Sequence, residues 1–60
     1  MTIKEKFIKI YSNLPLGVRK EIILTLEEKP ISWDVAYIEI WNDTLIGNVI
    51  LKKLEKLQII

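Results

Sequence analysis

The stretch PLGVRKEIILTLEEKPISW, residues 15–33, decides the fold. Within it Ile22, Leu24 and Leu26 alternate with Glu21, Ile23, Thr25 and Glu27, as a half-buried strand would. The same stretch also reads as a helix. Leu14, Val18, Ile22 and Leu26 fall at four-residue steps, Pro15 suits a first helical turn, and Lys29-Pro30 is a helix-stop signal. Helix over about 16–28 is the expectation, against Gly17 inside the first turn and Glu27-Glu28 at the negative end of the helix dipole. The alternative is a strand or hairpin over about 20–33. With only a short return strand at Ile31–Trp33, it would expose an edge that pairs readily with a second chain.

On either side the signals are helical. Thr2 and Glu5 form a capping box, and Ile3, Phe7, Ile10, Tyr11 and Leu14 then line one face while Lys4, Glu5, Lys6 and Lys9 fill the other, predicting a helix over 3–12. Ser12-Asn13 ahead of Leu14-Pro15 ends it. Ser32 is an N-cap, Asp34 sits where the dipole favours an anion, and Trp33, Tyr37, Ile40 and Trp41 form a stripe, predicting a helix over 33–41. Asn42-Asp43-Thr44 offers caps for a last helix, 44–57, with Leu45, Ile46, Val49, Ile50, Leu54 and Leu57 assigned to its inner face. Lys52, Lys53 and Lys56 complement the end of its dipole. The expected fold is all-α, four short helices in one domain over 1–60, the second half resembling a helix-turn-helix.

Composition narrows the function. Sixty residues allow one small core, and with no cysteine and no histidine the chain lacks a disulfide, a thiolate nucleophile, an imidazole base and the soft ligands of zinc or iron–sulfur sites. Nine Lys plus Arg against eight Asp plus Glu give a net charge of +1, too little for a polyelectrolyte that binds DNA by charge alone. Apolar runs are short, three residues at Ile22–Leu24 and at Val49–Leu51, far short of the roughly 20 that span a bilayer. Met1–Ile10 has no apolar core or cleavage site of a secretory signal, so a cytoplasmic protein is expected. Asp34 and Glu39, five residues apart, point away from each other on a helix and do not form an acid–base pair. Gly17 and Gly47 are isolated, not a phosphate-binding loop. No enzymatic activity, cofactor, metal or small-molecule substrate is expected.

Arg19, Ile22, Ile23 and Leu26, then Glu27-Glu28-Lys29-Pro30-Ile31-Ser32, Ala36, Thr44, and finally Leu51-Lys52-Lys53-Leu54-Glu55-Lys56-Leu57-Gln58-Ile59-Ile60 form a recurring pattern. It resembles the helical core of winged helix-turn-helix regulators, over residues 19–60 and without the wing. The resemblance implies DNA binding as a dimer, with Thr44, Asn48 and Lys52 on the groove-facing side of a recognition helix and Arg19 and Lys20 available to phosphates.

Charge and aromatic placement point elsewhere. Residues 31–47 hold Asp34, Glu39 and Asp43 and no Lys or Arg, a face that phosphates repel. Trp33, Tyr37 and Trp41 offer the large amphipathic side chains that anchor protein interfaces. Leu16, Leu24, Ile38 and Leu51 lie off the main stripes of their expected helices, a pattern that favours burial by a partner. A protein-interaction or oligomerising module is therefore the expected function, its partner being itself, as a homodimer, or a larger protein. A dimeric DNA-binding regulator is the alternative.

Overall fold

The computed structural model describes all residues, Met1–Ile60, and orders them as helix α1 (Ile3–Ser12), a single 3-10 turn (Val18–Lys20), strands β1 (Ile22–Leu26) and β2 (Lys29–Ser32), and helices α2 (Trp33–Trp41) and α3 (Leu45–Lys56). The fold is α+β, which corrects the all-α expectation. Helices stand near the expected 3–12, 33–41 and 44–57, but no helix occupies 16–28; the alternative hairpin over about 20–33 is what forms there.

The chain reverses at Glu27 and Glu28, whose φ angles are +48° and +69°. Two consecutive left-handed residues between directly paired neighbours are the signature of a type I′ turn, whose twist matches that of the strands it joins. Leu26 pairs with Lys29 across this two-residue loop, followed by Thr25 with Pro30, Leu24 with Ile31, and, past a bulge, Ile22 with Ser32. Pro30 stands one place beyond Lys29, at a pair that exchanges no backbone bonds, so its missing N–H costs the ladder nothing. The alternation outweighs the four-residue spacing at residues 24–26, where Leu24 is buried, Leu26 half-buried, and Thr25 and Pro30 face water; beyond the bulge it breaks, with Ile23 half-buried and Ile22 exposed.

The caps form as the sequence implies. Thr2 Oγ1 accepts from the Glu5 N–H at 3.1 Å while Glu5 Oε1 accepts from the Thr2 N–H at 3.0 Å, closing the capping box. That bonding to the Thr2 backbone and hydroxyl holds the Glu5 carboxyl below its ordinary pKa. Ser32 Oγ accepts from Val35 N–H and Thr44 Oγ1 from Gly47 N–H, capping α2 and α3. Between those helices Asp43 takes φ +54°, and the Thr44 and Asp43 N–H groups reach back to the Glu39 and Ile40 carbonyls at 3.2 and 3.1 Å, a Schellman turn.

The three helices and the hairpin share one core: Phe7 from α1, Leu24 and Ile31 from the hairpin, Ala36 and Ile40 from α2, Ile50 and Leu54 from α3. The inner face of α3 is narrower than expected. Gly47, Ile50 and Leu54 are buried and Leu51 half-buried, whereas Leu45, Ile46, Val49 and Leu57 are exposed at 85%, 52%, 47% and 58%. No helix is long and apolar enough to cross a membrane.

Candidate interaction surface

Two surfaces carry the chemistry of this chain. The first is an aromatic ladder along the seam of α1 and α2. Tyr11 and Tyr37 stack with centroids 4.3 Å apart and planes 11° from parallel, and Trp41 continues the stack at 5.8 Å from Tyr37. Cations close both ends: the Arg19 guanidinium lies 4.4 Å from the Tyr11 centroid and Lys4 Nζ 5.9 Å from that of Trp41. Trp33 packs instead on Phe7, at 5.8 Å. The expected interface residues Trp33, Tyr37 and Trp41 are thus brought together, but Trp33 and Tyr37 are half-buried against the chain's own core and Trp41, 55% exposed, is the one left open.

Hydrogen bonds and charge fix the ladder. The Tyr11 hydroxyl donates to Asp34 Oδ1, and this bond, helped by partial burial and the carboxylate's charge and opposed by nearby Arg19, raises the phenol's pKa above its ordinary value. Lys4 Nζ also pairs with Asp43 at 2.9 Å, tying α1 to the α2–α3 turn. Arg19 reaches the Ser12 carbonyl with Nη2 at 3.5 Å, while its Nε is buried without a partner.

The candidate DNA contacts divide into occupied and free. Arg19 is committed to Tyr11, and Thr44 caps α3 while its hydroxyl lies 3.3 Å from the Glu39 carbonyl and 3.2 Å from its carboxylate. Lys20 is exposed on the 3-10 turn, and Asn48 and Lys52 are exposed one turn apart on α3. No hydrogen bond or ion pair joins Arg19 and Lys20 to Thr44, Asn48 or Lys52.

The second surface was not foreseen. The core face of the hairpin tip and the first turns of α3 stand apart, leaving an open cleft of about 230 Å³ lined by Leu26, Ile31, Leu45, Ile46 and Val49, with Glu27 and Lys29 beside them. Its apolar floor continues onto the exposed flank of α3. The signal in the sequence was Gly47: a glycine at i with Ile50 and Leu54 at i+3 and i+7 marks the close-packed face of α3, which turns Leu45, Ile46 and Val49 outward.

The accessible surface, 4360 Å², is close to the roughly 4,100 Å² expected of a folded monomer with this mass. The exposed apolar residues therefore belong to the surface of a closed fold rather than to a gap in its packing. The chain matches no protein-family model, no characterised protein and no solved structure.

Proposed function

We propose that this chain is a non-enzymatic protein-interaction module that self-associates. The observation that carries the proposal is the cleft between the hairpin tip and α3, continuous with Leu45, Ile46 and Val49, an apolar surface on a chain that otherwise closes its core. Contiguous exposed apolar surface on a small soluble fold marks a site of association. Glu27 and Lys29, at the margin of the cleft, are exposed.

Sedimentation across concentration tests the proposal. A dimer or larger species persisting at low micromolar concentration is the expected outcome, and a 7.1 kDa monomer at every concentration would overturn it. Adding duplex DNA to the same samples separates the regulator reading, in which the assembled form would bind DNA with a steep salt dependence through Lys20, Asn48 and Lys52.

A further inference from the structure

We infer that a second copy of this chain lays its α3 antiparallel against α3 and seats its Leu57 in the cleft beneath the hairpin tip, each copy filling the cleft of the other. The inference rests on the self-association proposed above and names the segment that enters the cleft.

Beside the buried stripe of α3, formed by Gly47, Ile50 and Leu54, runs a second stripe: Ile46, Val49, Lys53 and Leu57, at i, i+3, i+7 and i+11. Leu57 keeps right-handed backbone at the C-cap, so this stripe reaches the end of the helix. All four of its side chains are exposed. Ile46 and Val49 line the cleft opposite Leu26 and Ile31, with Glu27 and Lys29 at the margin. Lys53 and Leu57 carry the same flank past the cleft, so a flank that begins in an apolar recess ends in an exposed leucine.

Such a flank is complementary to itself. A two-fold axis at the height of Leu51 sets Ile46 of each copy opposite Leu57 of the other and Val49 opposite Lys53, with the helix axes antiparallel and ~8–10 Å apart. The axis stands perpendicular to the plane of the two helices and so keeps both hairpin tips on one face of the pair. Leu57, seven residues after buried Ile50, lies on the core side of its stripe and points to that same face. Charge selects this occupant. The tip carries Glu27, Glu28 and Lys29, net −1, and the last turns of α3 carry Lys52, Lys53 and Lys56 against Glu55, net +2. The chain's ion pair is Lys4 with Asp43, which leaves all of these charges free. Antiparallel seating brings Lys53 to Glu27 of the other copy at the cleft margin, whereas a parallel pair would crowd the lysine-rich ends together. Helix α2 also exposes Val35, Ile38 and Trp41, but it bears Asp34 and Glu39 and no cation, and the glutamates of the tip repel it.

Charge exchange between two variants of the intact chain tests this by sedimentation. Lys53→Glu and Glu27→Lys, both at exposed positions, each set like charges together at both clefts and should weaken self-association by about tenfold. An equimolar mixture of the two restores an opposite-charge contact at each cleft and should associate as the parent does. The absence of cysteine allows a second reading of the seat. When Ile46→Cys and Leu57→Cys chains are mixed and oxidised, the disulfide should form between positions 46 and 57 of different copies in preference to either self-pairing. A parent that associates while the charge-exchanged mixture does not recover, or while position 46 couples to position 46, would overturn the antiparallel seat and leave self-association standing on another arrangement. A parent that stays monomeric at every concentration would overturn both.

Discussion

Gly47 of α3 lies directly against the backbone of Glu39 in α2: a Cβ at position 47 would stand 2.4 Å from the Glu39 carbonyl oxygen and 2.9 Å from the Ile40 nitrogen. The obstructing atoms are main chain, and the Glu39 carbonyl is held by the Thr44 N–H and hydroxyl, so they cannot swing aside. Gly47→Ala should therefore force the two helices apart, at a cost of about 2 kcal/mol after allowing for alanine's better helix propensity. On a domain of this size that removes roughly half the stability and lowers Tm by roughly 10 °C. Thermal unfolding by circular dichroism checks it, and an unchanged Tm would mean that α2 and α3 do not approach this closely.

The hairpin turn is open to improvement. Glu27 and Glu28 both hold left-handed backbone, φ +48° and +69°, which disfavours any residue with a Cβ by about 1 kcal/mol or more. Replacing the pair by Asn-Gly, the preferred type I′ dipeptide, should stabilise the fold by about 1 kcal/mol and raise Tm by roughly 5 °C. A loss of stability in urea unfolding would instead favour a helical course through residues 27 and 28, which this substitution breaks.

That turn also explains how much of the fold was legible. Capping fixed α1, α2 and α3 from the sequence because Thr2, Ser32 and Thr44 use side-chain oxygens that only helix starts require. The hairpin is less legible because its turn carries two glutamates where Asn-Gly or Asp-Gly would announce it. Gln58 hides a helix end in the same way, with φ +59° and an Ile59 N–H reaching back to the Leu54 carbonyl at 2.9 Å, in the place a glycine usually holds. The aromatic stripe was visible as a stripe, but nothing local revealed that Tyr11 of α1 would stack on Tyr37. The cleft was hidden because the inner face of α3 is set by a contact between Gly47 and a backbone elsewhere in the chain.

The bond between Tyr11 and Asp34 makes stability depend on pH at the alkaline end. The phenol's pKa is raised in the fold, chiefly by donating to the Asp34 carboxylate, so the folded chain holds that proton more tightly than the unfolded one. Its contribution is complete below the ordinary tyrosine pKa of about 10 and is lost as pH rises through the raised value. Tyr11→Phe should cost about 1 kcal/mol at neutral pH, since the bond is part-exposed, and should flatten the decline above pH ~10. Urea midpoints measured from pH 7 to 11 for both forms check this; parallel curves would assign the alkaline loss to other groups.

Leu45 and Val49 separate the surface from the core. Periodicity alone assigned both to the buried side of α3, yet they are 85% and 47% exposed and border the cleft beneath the hairpin tip. If they act only as surface, Leu45→Lys should leave stability within about 0.5 kcal/mol of the parent, because the position makes no buried contact to lose. Val49→Lys, at a half-covered site, should cost about 1 kcal/mol through lost apolar burial. Both place a charge where an associating partner would have to desolvate it, so both should shift the sedimentation profile toward monomer at fixed concentration. Comparing Leu45→Lys with Ile50→Ala sharpens the contrast. Ile50 is fully buried, and its truncation should cost about 2–5 kcal/mol. A Leu45→Lys variant that loses stability on that scale would place Leu45 in the core after all, whereas one that folds normally and still associates as the parent does would release the cleft from any part in assembly.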